Sequence, residues 1–513
     1  MSGLFSFMKK ATVPIAEPVQ AGEGVSLSLS AKALFPAYQY NQGVETTLMA
    51  TIQGLDMSKS DSERKGLDMV VVLDKSGSMS GEKLALCRDT CEFLTKELGE
   101  NDRFGLITYD TNVEESLQLT RMDTKGKSKA QNIISKVRAG SSTNLSGGLL
   151  RGISMLGDSV ESEGENTPVA NIVHNSSKES TQKAVVVGDR IRTVLLLTDG
   201  YANYGVTDPK KLSTLTQQAI AKIPGGCRLF TFGYGANHCS SLLEKLANCG
   251  DGSYFFVQHT EDIVTAFADC LGGLISVVAQ NIQMTITAAG GTKLIGDPLT
   301  NYKCSSTSKT RTIQFPDIYA GESRNILCNI VLPVLTSPVE NAEDAPLAMI
   351  KVTFADACSG NLCELEYVLT VARPEHISEK DHAASVDAEV DTHRLRFETA
   401  KEIERARKIA DEGKYQQGQD ILRKMRATCD AYRGSSNRSS KDERTLEGLV
   451  EDLEECEEYM DGARWGEGTK ICQNMTTEHG CERSIRTKGA YQTTTQQNMR
   501  AKGKKFMAFK GRK

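Results

Sequence analysis

No C-x-x-C pair occurs in these 513 residues, although the chain has 14 cysteines. Without paired spacing they do not form a disulfide framework, and a reducing compartment is expected. An apolar run able to span a bilayer is also missing, since LGGLISVVA over 271–279 is too short. The opening MSGLFSFMKK puts its lysines after a short apolar patch, the reverse of a secretory signal. The expectation is a cytoplasmic chain with no transmembrane segment. A net charge of -5 names no partner, and no specific nucleic-acid motif is present. What remains is ordinary globular composition, 39% hydrophobic and 25% charged, at a length that implies two to four domains.

From residue 67 onward, apolar runs alternate with amphipathic stretches, the order of a parallel sheet with crossover helices. The runs are LDMVVVL (67–73), RFGLITYD (103–110), IRTVLLLTD (191–199), CRLFTFGYG (227–235) and GSYFFVQ (252–258). VEESLQL (113–119) follows the second run too closely for a crossover, so it reads as an antiparallel edge strand. Helices are expected over 82–98, 125–138, 145–156, 208–223, 240–248 and 260–279. The fold class is therefore α/β, doubly wound and Rossmann-like, over 66–280, with a polar surface insertion at 157–189. After 280 short period-two strands signal an antiparallel β-sandwich over 281–375. The same signature in 20–56, before the α/β unit, implies that the unit is inserted in the sandwich. Residues 1–19 read as a disordered N-terminus.

From 384 to 462 the pattern is helical, with a break at Gly413 as in an αα-hairpin, and LEGLVEDLEEC as a third amphipathic helix. Residues 463–513 read as a basic, partly disordered tail, because nothing from 483 to the end is acidic. Clustered Lys and Arg with Phe506 and Phe509 offer possible contact with an anionic surface. Cys87 and Cys91, four apart on one helix, read as buried small apolar residues. Cys472, His479 and Cys481 supply three potential zinc ligands where a closed site needs four.

The chemistry gathers in VVVLDKSGSMSG (70–81), where a buried strand ends in a carboxylate and two hydroxyls, Asp74, Ser76 and Ser78. Asp199 in LLLTDG ends a second central strand, and Thr143 lies in a Gly- and Ser-rich loop before a helix. Open α/β sheets bind ligands at the carboxyl ends of such strands. All five residues are hard oxygen donors, suited to Mg²⁺ or Mn²⁺. Two carboxylates and three uncharged hydroxyls would leave the ion electrophilic, so an Asp or Glu from a protein partner is a natural last ligand. The competing reading is an N-capped helix start beside ordinary turns.

DKSGS with Thr143 and Asp199 resembles the metal-ion-dependent adhesion site (MIDAS) of von Willebrand factor type A (VWA) domains. The resemblance implies that Asp74, Ser76, Ser78, Thr143 and Asp199 hold the divalent ion. Residues 266–286 and 317–333, the helical region and YQTTTQQNM also look like intracellular members of that group, including plant RING-finger proteins. The RING array of those relatives has no counterpart in this sequence, so their ligase activity does not carry over. The resemblance implies a non-catalytic, metal-dependent protein-binding module or scaffold. An adaptor for ubiquitin ligation whose RING sits on another chain is the alternative. A single-metal phosphoesterase lacks a placed base, since the seven histidines are scattered. Asn144-Leu145-Ser146 is a glycosylation sequon inside the proposed metal loop, which fits a protein that never meets the glycosylation machinery.

Overall fold

Strands β3 (Leu67–Asp74) and β6 (Ile191–Thr198) are buried along their whole length and lie side by side. Runs of Val and Leu buried on both faces are what a parallel sheet covered on both sides demands. The structure is a computed structural model that describes residues 26–55, 64–163, 190–235, 237–258, 262–433, 438–483 and 491–510. Around the central pair, β4 (Arg103–Tyr109), β5 (Val113–Arg121), β7 (Arg228–Tyr234) and β8 (Tyr254–Val257) complete a six-stranded sheet ordered β5-β4-β3-β6-β7-β8. Only β5 runs antiparallel, as the short β4–β5 connection requires.

Alternate residues of β3 feed opposite layers. Val71 and Leu73 join the core under α1 (Glu82–Glu97), α2 (Thr124–Ile134) and α6 (Ile263–Leu274). Val70 and Val72 join the core under α3 (Leu145–Glu163), α4 (Pro209–Ala221) and α5 (Ser240–Cys249). From β3 the chain first adds β4 on one side and later β6 on the other. The carboxyl ends of β3 and β6 therefore flank the point where strand order reverses, the usual ligand crevice of such sheets.

Strands β1 (Leu27–Ala33) and β2 (Val44–Gly54) precede this unit. They join β10 (Lys293–Leu299) and β13 (Ser323–Leu332) in a four-stranded sheet, β1-β2-β13-β10. The facing five-stranded sheet, β11-β12-β9-β14-β15, contains β9 (Val277–Ala288), β11 (Lys303–Ser306), β12 (Thr310–Tyr319), β14 (Pro346–Asp356) and β15 (Leu362–Thr370). Leu48, Ile52, Ile326 and Ile330 meet Ile282, Met284, Ile350 and Val352 in one core between the sheets. The α/β unit is thus inserted between two strands of an antiparallel sandwich.

The helix expected over 260–279 ends at Leu274, and residues 277–279 begin β9 instead. Val277 and Ala279 pair with Tyr319 and Ile318 of β12. Ladder bonds suit this β-branched stretch better than another helical turn does. The surface insertion expected at 157–189 is shortened at its start, because α3 continues to Glu163; 164–189, like the expected disordered segment 1–19, lie outside the described residues.

Beyond the sandwich come α7 (Glu379–Ala384), α8 (Ala388–Asp411), α9 (Tyr415–Tyr432), α10 (Ser440–Glu458), α11 (Trp465–Cys481) and α12 (Thr494–Lys510). Gly413, at φ +81°, makes the break between α8 and α9, a left-handed position that favours glycine. Residues placed by sequence in a basic tail form α11 and α12. Ile471, Cys472 and Met475 of α11 enter the core shared with Leu395, Ile403 and Leu453. α12 lies on α6 and α1: Met499 is buried, and Phe506 packs against Phe93 at 5.7 Å between ring centres. Its lysines face acids of α1, Lys502 to Glu97 at 2.8 Å and Lys510 to Asp89 at 2.9 Å. Phe506 and these two cations are therefore engaged within the chain. Among the described residues no helix is long and apolar enough to cross a membrane.

Candidate metal centre

Asp74 closes β3 with no exposed surface. Its Oδ1 accepts a hydrogen bond from the Ser76 amide at 2.8 Å and its Oδ2 accepts one from the Thr198 hydroxyl at 2.7 Å. Both carboxylate oxygens are thereby fixed in orientation. Burial first, with the nearby Asp199 carboxylate adding to it, pushes Asp74 up to about 6. The Ser76 hydroxyl lies 3.2 Å from that of Ser78, which donates to Asp199 Oδ1 at 2.6 Å. Asp199 is itself buried, whereas Ser78 is exposed, so the cluster opens to solvent on the Ser78 side.

Thr143 comes from a separate loop that the backbone ties to the first. The Gly77 amide donates to the Ser141 carbonyl at 2.8 Å, and the Gly140 amide to the Lys75 carbonyl at 2.6 Å. A Cβ built on Gly200 would lie 3.8 Å from both Ser78 Oγ and Thr143 Oγ1. Those two hydroxyls therefore border the same small space beside Asp199. All five residues singled out in the sequence converge at the switch point of the sheet.

Three further residues belong to the site and were not read from the sequence. Lys83 Nζ sits 2.5 Å from Asp199 Oδ2. Asn203 Oδ1 accepts from the Thr143 amide at 2.8 Å, and Thr198 holds Asp74 as described. Lys83 lies nine residues beyond Asp74 on the first turn of α1, so helical geometry alone could have pointed to it. Asn203 and Thr198 carry no such signal. Asn144, the sequon residue, has its side chain engaged: Oδ1 accepts from the Gly147 amide at 3.0 Å.

Two buried carboxylates and three hydroxyls, with no nitrogen or sulfur among them, fit a hard divalent cation. Burial of Asp74, with Asp199 beside it, disfavours the ionised carboxylate, and a bound cation would offset that cost. Among the described residues no group of three or more His, Cys, Asp or Glu is arranged to hold a metal. His479 instead bonds Tyr491 and Asp452, each at 2.9 Å. Cys87 and Cys91 are buried, and burial pushes the Cys87 thiol up to about 12.

Comparison with known proteins agrees with this architecture. The family described as von Willebrand factor type A domain matches residues 68–269. E3 ubiquitin-protein ligase WAV3 of Arabidopsis thaliana is 26% identical over 284 residues, 53% of this chain and 32% of that protein. Uncharacterized protein YfbK of Escherichia coli is 24% identical over 244 residues, 47% of this chain and 37% of that protein. The chain thus matches about a third of the length of these curated relatives. A solved structure, von Willebrand factor type A from Catenulispora acidiphila, aligns with 91% of this chain and 100% of its own at TM-score 0.58 and 12% identity. At that identity the likeness shows the fold.

Proposed function

We propose that this chain, whose residues 68–269 form a von Willebrand factor type A domain, is a non-catalytic scaffold that binds a protein partner through a divalent ion. Type A domains are commonly metal-dependent protein-interaction modules. The observation that carries the reading is the convergence of Asp74, Ser76, Ser78, Thr143 and Asp199 at the sheet's switch point, with both carboxylates buried and Ser78 open to solvent. These five residues would hold Mg²⁺ or Mn²⁺, and the bound ion supplies an electrophilic position for an outside oxygen ligand. Thr198 and the Ser76 amide keep Asp74 oriented. Lys83 contributes positive charge at the rim, which favours an incoming Asp or Glu.

The fourteen cysteines are all free, which supports a reducing, cytoplasmic setting. Contact of an anionic surface by Lys504, Lys505 and Phe509, exposed on α12, is retained as a secondary role. A second reading, a substrate-recruiting adaptor in ubiquitin ligation with the RING on another chain, is favoured by the likeness to WAV3, which covers 53% of this chain.

The test is capture of partners from source-cell lysate on the purified chain, in Mg²⁺ or EDTA, with wild type and Asp74→Ala. Partners lost both in EDTA and with the variant support the metal reading. Partners that bind regardless contradict it. A ubiquitin ligase among the metal-dependent partners would favour the adaptor reading.

A further inference from the structure

Among the described residues, large apolar or aromatic side chains are exposed at seven positions, and two of them, Tyr201 at 59% and Tyr204 at 52%, stand on the loop that follows Asp199. Single exposed apolar residues are ordinary, but a pair beside a candidate binding site asks for a reason. The loop that carries them is pinned. The Asn203 and Tyr204 amides both donate to the Thr143 carbonyl, at 3.3 and 3.2 Å, and Asn203 Oδ1 takes the Thr143 amide in return. Farther along, the Val206 amide donates to Ser146 Oγ at 2.8 Å. Gly205 between them has φ +80°, and a Cβ there would come within 2.5 Å of both Asn144 Oδ1 and Ser146 Oγ. The backbone from Asn203 to Val206, which carries the Tyr204 ring, is thus clamped to the loop that supplies the Thr143 hydroxyl, and Tyr201 stands two residues ahead of it.

We propose that Tyr201 and Tyr204 form an aromatic subsite beside the metal centre, which selects a partner segment carrying an apolar or aromatic residue within about two positions of its metal-binding Asp or Glu. This rests on the metal-dependent reading above. The register follows from chain geometry: Tyr201 is two residues past Asp199, so their Cα atoms are at most about 7 Å apart, roughly two residues of an extended ligand. The chemistry follows from the rings. Tyrosine offers a wide apolar face with little rotamer entropy to lose, and rigid aromatic anchors dominate binding energy in interfaces. Charge complements it, because the Lys83 ammonium at Asp199 favours the carboxylate at one end while the tyrosines take the neutral neighbour.

The experiment is a peptide array of immobilised octamers with a central Asp or Glu and every residue type in turn at the two positions on each side. It is probed with the full chain in Mg²⁺ and in EDTA, and with Tyr201→Ala and Tyr204→Ala. Both tyrosines are exposed, so the variants keep the wild-type fold, which their unfolding temperatures verify. The expected result is Mg²⁺-dependent signal concentrated on Leu, Phe or Tyr flanks. That preference falls by about tenfold in either variant, the size of one lost aromatic anchor, while the need for the acid and for Mg²⁺ stays. Mg²⁺-dependent signal with no flank preference, or with one the variants leave intact, overturns the subsite and leaves the metal reading standing. Absence of Mg²⁺-dependent signal on every acidic peptide overturns both.

Discussion

Asp74 carries the largest electrostatic consequence of any single residue in the site. Its folded value of about 6 lies above the 3.8 of an unstructured aspartate. A raised carboxylate means that the folded state holds its proton more tightly. The Asp74 contribution to stability without metal is therefore greatest below about pH 4, falls as pH rises through about 6, and then levels off, a loss on the order of 3 kcal/mol. A divalent ion reverses that penalty by pairing with the ionised form. Added Mg²⁺ should raise the unfolding temperature more at pH 7.5 than at pH 5, measured by calorimetry, and Asp74→Asn should abolish the difference. Equal shifts at the two pH values would count against the assignment. Lys83 acts the other way, since its ammonium occupies the charge that the ion must satisfy on Asp199. Being about a third exposed it is partly screened, so Lys83→Met should tighten Mn²⁺ binding by about threefold to tenfold, read by titration calorimetry. The acid and hydroxyl donors were legible in sequence because each sits at the end of a strand or in a glycine-rich turn. Thr198, Asn203 and the two tyrosines gain their roles only through contacts made in space, between loops some 60 to 120 residues apart.

At the scale of elements, α12 is held differently from the others. Of its 17 residues, those buried are Gln496, Met499 and Gly503. Phe506 and Met507 pack half-buried against the core, and the ion pairs with α1 are of the exposed kind that contributes little. α12 should therefore show faster amide exchange than α8 or α11, and faster still in high salt. Where α12 and the residue stretch before it meet α6, Asp269 Oδ2 accepts from Gln492 at 3.0 Å and its Oδ1 lies 3.5 Å from Arg500. Burial raises Asp269 to about 8 despite that arginine. The folded state therefore favours the protonated side chain, and the Asp269 contribution to stability declines as pH rises from about 4 to 8. Asp269→Asn should raise the unfolding temperature at pH 8 and leave it nearly unchanged at pH 4; a fall at pH 8 would show that the Arg500 pair dominates. α11 and α12 escaped the sequence reading because their apolar signal is short, Ile471, Cys472 and Met475 in α11 and Met499 in α12, and the rest of their buried faces is Gly, Gln, Asn, Lys, Glu and His. The β3 and β6 runs, buried on both faces, could hardly be missed.

For the whole molecule, the binding unit is fastened to its frame by chain path, and the frame is held together by buried charge. Chain path was legible, since period-two strands on both sides of the α/β unit require partners and find them in each other, β2 with β13. The charge network was not, because its members come from three separated stretches. Glu482 accepts from the Asn325 amide at 2.7 Å and from its side chain at 2.6 Å, and faces His393 at 3.4 Å and Arg396 at 3.8 Å. Arg324 pairs with Glu322 and donates to the Glu482 carbonyl at 2.8 Å. Sandwich, α8 and the end of α11 meet there. Glu482→Ala leaves Arg396 and the Asn325 amide buried without that partner, so it should cost about 3–5 kcal/mol by chemical denaturation.

The central claim, that Asp74 and Asp199 with the three hydroxyls form one divalent-ion site, is tested most directly by Mn²⁺ titration calorimetry of the full-length chain, wild type against Asp74→Asn and Asp199→Asn. The account predicts one ion per wild-type chain and at least about a tenfold loss of affinity in each variant, the scale of one removed charged ligand. Mn²⁺ binding that both variants retain at wild-type strength would contradict it.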